Sequence, residues 1–287
     1  MGLHVEESLG SHLDILGPNG VLVRFTYTAQ LPKPSWTQLQ TWSGRLVTLN
    51  SPADHVHHRG MFFCWSALNG FNFWQEECAP EVTGRIVWRR WLHRQTSERK
   101  ASVGAELEWL DPSGQPLVHQ EVEFSAEAMV GDEAWLFCLD TVLQPSDGPV
   151  VFQTPPPYSG LGVRLCRSIE QEARVVNSVG GIGEEGTNGA SASWCDCSGP
   201  LEDGGARAGV TVINHPQNAP DPVPFHTMTK GMAFISAAPT YNQAKALGPG
   251  EKWQLSFGVV VHEGTSPPDV CAGWADGFRK RPRLAGC

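Results

Sequence analysis

The chain has 287 residues, 40% of them hydrophobic, so it can bury a substantial core, and its net charge of -9 excludes the basic surface that nucleic-acid backbones require. No apolar run approaches the ~20 residues of a spanning helix, so neither a membrane nor a nucleic-acid partner is expected. Eight cysteines are too few for a disulfide scaffold and no secretory signal opens the chain, so the reading is reduced thiols and a cytoplasmic location.

Extended segments follow one another along the chain. Residues 21–28 (VLVRFTYT), 85–92 (RIVWRRWL), 105–110 (AELEWL), 118–126 (VHQEVEFSA), 135–143 (WLFCLDTVL), 209–214 (GVTVIN) and 253–261 (WQLSFGVVV) each read as a strand. The 31 glycines and 22 prolines punctuate these runs, with turn chemistry at Pro18-Asn19-Gly20, Asp111-Pro112-Ser113-Gly114 and Gly248-Pro249-Gly250. Residues 176–192 are rich in Gly, Ser and Asn and read as a mobile loop; their GGIGEEG is not expected to bind phosphate, having neither a clear strand before it nor a helix after it. Residues 268–278 are the one fair helix candidate. The prediction is all-β: one large antiparallel β-sandwich over residues 1–287, with a short C-terminal helix and basic tail at 266–287.

The chemistry concentrates in loops at strand ends. Residues 54–60 read Asp54-His55-Val56-His57-His58-Arg59-Gly60, three of the ten histidines beside a guanidinium. Neutral imidazoles move protons or bind metals near neutral pH, and an arginine fork suits an oxyanion. If this segment is extended, His55 and His57 share one face and His58 takes the other. An apolar run, Gly60 to Trp65, then turns at Asn69-Gly70 and returns through Trp74 to Glu76 and Glu77, a hairpin that would bring aromatic rings and a carboxylate back to the histidines. A second polar loop carries Asn214, His215, Pro216, Asn218 and His226. Tyr158 and Arg164 would share a strand face and bind hydroxyls. Cys195-Asp196-Cys197 is a lone C-x-C pair and a weak zinc signal.

The run DHVHHRGMFFCWSALNGFNFW resembles the signature of the PmoA-like proteins, and the likeness continues through WCDCSGPLEDG, GVTVINHPQNAPDPVPFH and LGPGEKWQLSFGVVVHEG, about residues 15–265. The resemblance sets His55, His57, His58 and Arg59 in the family's histidine loop, Asn69, Gly70, Phe73 and Trp74 in its turn, and His215, Pro216, Asn218 and His226 in its late loop. It implies a galactose-mutarotase-like supersandwich and a companion role in carbohydrate catabolism. The methane-oxygenase label attached to that family does not fit a chain without spanning helices. The chain departs from the pattern in KPSWTQLQTWSG, which lacks a tyrosine-rich stretch, and in the cysteines of WCDCSG.

The expected function is acid–base elimination, hydrolysis or epimerisation of a sugar, glycoside or keto-glycoside. His57 or His58 would be the base, His226 or Glu76 the acid, and Arg59 the oxyanion partner. Trp65, Asn69, Trp74, Tyr158, Arg164 and Asn218 would bind the substrate. A divalent metal (zinc, iron or manganese) on His55, His57 and His215 is the alternative catalyst. A non-catalytic carbohydrate-binding protein is the reading from another class. The sequence gives no oligomeric state.

Overall fold

The computed structural model describes residues 2–129, 131, 134–202 and 205–283; residues 284–287 of the expected basic tail lie outside them. In chain order the strands are β1 (His4–Ser8), β2 (His12–Gly17), β3 (Gly20–Thr26), β4 (Ser35–Leu39), β5 (Met61–Trp65), β6 (Arg85–Thr96), β7 (Lys100–Leu110), β8 (Pro116–Ala128) and β9 (Ala134–Pro145). They continue with β10 (Val150–Phe152), β11 (Ser159–Arg164), β12 (Arg174–Asn177), β13 (Trp194–Pro200), β14 (Arg207–Asn214), β15 (Phe225–Met228), β16 (Phe234–Ala237), β17 (Lys245–Leu247) and β18 (Trp253–Glu263). Among the described residues three short α-helices accompany them, α1 (Arg167–Gln171), α2 (Gly183–Thr187) and, after the last strand, α3 (Pro268–Arg279), with one 3-10 turn at Pro80–Val82.

Two eight-stranded sheets form a sandwich, the first ordered β1-β2-β3-β4-β5-β11-β16-β15 and the second β12-β13-β14-β18-β9-β8-β7-β6. Each assigned ladder pairing is antiparallel. The expected all-β antiparallel sandwich is therefore present. All seven strands read from the sequence lie within or across observed ones. Aromatic rings join the sheets: Phe25 meets Phe124 at 5.0 Å, Trp36 meets Phe137 at 5.3 Å, and Trp65 meets Trp253 at 5.5 Å. Side chains alternate across β5, so Phe63 and Trp65 face this core while Phe62 faces the other way.

Both faces of β5 are buried, which is why MFFCW reads as an unbroken apolar run. Loop segments cover the outer face of the first sheet. Phe62 and Phe234 pack there at 6.3 Å, and Gly162 leaves them room, since a Cβ at 162 would lie 2.9 Å from the Phe234 ring. On the second sheet's outer face lies α3. Pro268 starts it, Cys271, Ala275 and Phe278 form its buried stripe, and Phe278 fits the hollow left by Gly258. The stretch expected to be a mobile loop contains the end of β12 and all of α2, so GGIGEEG does follow a strand and lead into a helix. Asn177 organises it by accepting hydrogen bonds from the backbone N–H groups of Val179 and Gly181.

Two devices hold the histidine segment on the first sheet. Gly60 has a φ of +70°, and a Cβ there would stand 2.6 Å from the Trp36 carbonyl oxygen. The second is a triad of charges. Arg59 grips Glu76 with two donors, and the fully buried Lys33 ammonium donates to Glu76 at 2.9 Å and to the Trp74 carbonyl at 2.8 Å. Burial raises the Glu76 carboxyl, but Arg59 and Lys33 outweigh it and hold the group below its ordinary range.

Gly60→Ala is expected to cost more than about 2 kcal/mol, positive φ and backbone collision adding. Gly70→Ala, at φ +84° with nothing within 4 Å, should cost only about 1 kcal/mol. Equal shifts of the two urea midpoints would refute the close-approach account. Glu76→Gln should cost about 3–5 kcal/mol at neutral pH, because it strands two buried cations. Glu76 is depressed in the folded state, so its contribution is present above its unfolded pKa of about 4.3 and lost as pH falls through the lower folded value. The gap between wild type and variant should therefore shrink in acid unfolding curves.

Candidate functional site

The histidine segment is not extended. His55 N–H donates to the Pro52 carbonyl at 3.0 Å, His58 N–H to that of His55 at 2.9 Å, and Ser51 N–H to that of His58 at 2.7 Å. These turns cancel strand parity, so all three rings meet. The centroids lie 5.6 Å apart for His55 and His57, 4.9 Å for His55 and His58, and 4.6 Å for His57 and His58. The expected opposition of His58 to the other two is thus overturned.

Each buried imidazole has a partner that sets its tautomer. His57 Nδ1 lies 3.1 Å from Glu77 Oε2 and donates to it, leaving the Nε2 lone pair free. Burial lowers the His57 pKa, and Glu77 opposes the shift without reversing it. His58 lies between His55 and Phe234, whose ring is 4.9 Å away and nearly parallel. Its Nδ1 accepts from Arg164 Nη1 at 3.3 Å, so its proton sits on Nε2. Burial, with His57 and Arg164 nearby, pushes His58 down to about 2, and it stays neutral. Asn188 Oδ1 accepts the Thr227 N–H at 3.2 Å, which orients the amide, and lies 3.0 Å from His226 Nδ1. His226 Nδ1 must therefore donate and Nε2 keeps a lone pair. Burial lowers His226 as well.

The hairpin turn is present, with positive φ at Asn69 (50°) and Gly70 (84°). The return arm is irregular beyond Phe73, yet it delivers Glu76 to Arg59 and Glu77 to His57. Glu76 is held ionised, so it carries no proton for a general acid. Arg59 has its fork on Glu76, so it does not stand as the oxyanion partner. A second network lies behind His58. Arg164, fully buried, donates to Glu170 at 2.6 Å and to Asp54 at 3.0 Å, and Arg167 pairs with both carboxylates. Burial alone would raise Asp54, but His55, Arg164 and Arg167 hold it well below the carboxylate range.

Tyr158 is half-buried, stacks on Trp74 at 5.9 Å and lies 5.3 Å from His226. Those residues, with His55, His57, His58, Arg59, Glu76 and Arg164, gather around the outer face of the first sheet. The other expected residues do not. Trp65 belongs to the inner core, its indole N–H on Thr240 at 2.9 Å. Asn69 ties the turn to Val151 and Pro149. Asn218 bonds both backbone groups of Ser256 at 2.8 Å, and His215 donates to the Arg281 carbonyl at 2.9 Å beside Phe278. Both therefore lie on the second sheet, under α3 and the segment that follows it. The metal set His55, His57 and His215 is not assembled, and among the described residues no group of three or more His, Cys, Asp or Glu side chains is arranged to hold an ion. Cys195 and Cys197 are fully buried with thiols pushed up by burial, so they are inert core residues.

Sequence reasoning missed Lys33, Glu170, Asn188 and Phe234. Only Asn188 had a signal, an amide in the Gly-rich stretch, and it was read as loop. Among the described residues no helix is long and apolar enough to cross a membrane.

No curated protein matches the sequence. Solved structures align over most of the chain at low identity. The galactosidase domain of an alpha-galactosidase-sucrose kinase, AgaSK, shares 7% identity over 91% of this chain and 42% of its own, with a TM-score of 0.49. The galactose 1-epimerase of Lactobacillus acidophilus NCFM shares 11% over 92% of this chain and 100% of its own, with a TM-score of 0.43. The GH36 alpha-galactosidase AgaB of Geobacillus stearothermophilus shares 8% over 91% of this chain, with a TM-score of 0.42, and this chain spans 38% of its length. The resemblance to the PmoA-like proteins is overturned, because the family model that matches is another one. It describes a family of unknown function, DUF6807, and fits residues 13–275, so the chain belongs to that family.

Proposed function

We propose that the outer face of the first sheet carries a general acid–base site acting on a sugar or glycoside, a keto-glycoside included. The His57–Glu77 pair is the observation that carries this reading. A carboxylate on Nδ1 fixes the ring, and the neutral Nε2 is left as a base. His58 offers a neutral Nε2–H that can donate to a substrate oxygen, with Arg164 fixing its tautomer. His226 is another imidazole of opposite tautomer to His58, whose Nε2 lone pair can accept a proton or a substrate hydroxyl hydrogen. Tyr158, backed by Trp74, supports the sugar class, since a half-exposed ring packs against C–H faces while its hydroxyl bonds ring substituents. The reaction class is proton transfer beside a carbonyl or anomeric carbon, in elimination, hydrolysis or epimerisation.

One observation favours a purely binding role. A cavity of about 440 Å³ lies on the outer face of the second sheet, away from the histidines, lined by Leu92, His93, Glu123, Asp140 and Gln254 among others. Glu123 and Asp140 are direct cross-strand partners, and burial raises both carboxyls. This cavity has the volume for a sugar. It too holds an imidazole beside a carboxylate, His93 at 3.4 Å from Glu123, so the histidine site is preferred for its three adjoining imidazoles and for Tyr158 stacked on Trp74.

His57→Ala is expected to lower kcat by about 10²–10⁴-fold with the fold retained by circular dichroism. Turnover of a glycoside panel that survives this change would leave only the binding role. The base must be neutral, so kcat/KM should fall as pH drops through the His57 pKa, which lies below the ordinary value of 6.5. Glu77 favours the charged ring, so Glu77→Gln should move that acid limb to still lower pH. A limb that stays put would remove Glu77 from the pair.

A further inference from the structure

Resting on the acid–base reading, we propose that this site takes an uncharged sugar and rejects its anionic relatives, the uronates, aldonates and sugar phosphates, with Glu77 and Asp54 as the discriminating side chains. The observation is how charge is distributed. Four cations lie around the histidines, Lys33, Arg59 and Arg164 behind them and Arg167 at the rim. Each is committed to a carboxylate. Glu76 takes Lys33 and Arg59, while Asp54 and Glu170 together take Arg164 and Arg167. The Lys33 and Arg164 side chains are fully buried and Arg59 is 14% exposed, so none of the three can swing out to a ligand anion without stranding its partner.

The reacting groups add no positive charge. His57, His58 and His226 are buried and neutral at physiological pH, and Tyr158 offers a phenol hydroxyl as donor and acceptor. What the site shows to water is negative. Glu77 is 51% exposed and Asp54 33% exposed, both beside the histidines. Arg167, half-exposed, is the one rim cation of this network, and Asp54 and Glu170 hold it. Near His226, Glu184 is occupied with the backbone N–H groups of Thr229 and Lys230. A phosphate or carboxylate substituent at the His57 end would meet Glu77 and Asp54 with each of the four network cations already held by carboxylates, while the exposed Lys230 faces Glu184 as its countercharge. The repulsion from one half-exposed carboxylate amounts to about a tenfold loss of affinity. An uncharged polyol meets the donors and acceptors it needs: one imidazole N–H, imidazole lone pairs and a phenol.

Binding to the full-length protein would be followed by tryptophan fluorescence, since Trp74 stacks under Tyr158, at ionic strengths of about 0.05 and 0.5 M. The probes are neutral aldoses, δ-lactones and methyl glycosides, each beside its uronate and 6-phosphate. The expected result is saturable binding of neutral members, insensitive to salt, with uronates and phosphates at least about tenfold weaker at low salt. Asp54→Asn, which removes one rim charge and leaves Arg167 on Glu170 alone, should narrow that gap, and the half-exposed Glu77→Gln should narrow it without risk to the fold. Anionic members that bind as well as or better than neutral ones, with affinity falling as salt rises, would overturn the charge selection while leaving the acid–base site standing. Neutral members whose binding is unchanged in His57→Ala and Tyr158→Ala would overturn the location of the site, and with it both readings.

Discussion

One carboxylate compensates two cations that the fold has removed from water, and the outer face of the first sheet depends on it. Glu76 receives Arg59 from the histidine segment and Lys33 from the β3–β4 connection, while the Trp74 carbonyl takes another Lys33 proton. Three stretches far apart in sequence are thereby tied at one point. A lone buried ammonium is expensive, so these stretches cannot separate independently. Trp74 is held over Phe62, His58 is held under Trp74, and Glu77, the next residue, arrives at His57. The geometry of the proposed site is thus a by-product of how a buried charge is neutralised.

Burial then decides the state of the imidazoles. A histidine beside a carboxylate would ordinarily gain charge, yet desolvation prevails over Glu77 at His57 and over Glu184 at His226, and neighbouring cationic groups reinforce it at His58. Neutral rings are what a general base must present, and the same burial removes any attraction for anions. In the proposed function, proton transfer and substrate charge are two consequences of one environment.

The strands were legible because their signal is local. Runs such as WLFCLDTVL and WQLSFGVVV carry β-branched and aromatic residues between turn residues, and each became a strand of the second sheet. The histidine segment was legible as a cluster, since three imidazoles and a guanidinium in five residues have no common structural use. Its geometry was not, because parity holds only for extended backbone and turns at Pro52 and His55 broke it. His215 and Asn218 looked like site residues for their chemistry alone. Their side chains close backbone hydrogen bonds around Ser256 and Arg281, a demand set by α3 packing from the far end of the chain. Lys33 and Glu170 were invisible for the same reason: their partners are chosen by tertiary contact, which no spacing rule encodes.

Chemical type alone does not make a site, and a second constellation in this fold shows why. Ser266 Oγ lies 3.1 Å from His262 Nδ1, and His262 Nε2 lies 2.9 Å from Asp196 Oδ1, the membership of a serine hydrolase triad. Thr211 also donates to that aspartate at 2.7 Å, and Trp274 of α3 covers the imidazole at 5.4 Å. Ser266, His262 and Asp196 are 5%, 1% and 0% exposed, so a substrate carbonyl has no approach to the hydroxyl. Both ring nitrogens are occupied, and no lone pair is left to accept a proton from a ligand. The His57 pair differs in its carboxylate and in its lone pair. Its carboxylate is half in water, which lets protons exchange with solvent, and its Nε2 is free of a protein partner among the described residues. A solvated carboxylate and an uncommitted lone pair separate a candidate base from a structural hydrogen-bond chain made of the same residue types.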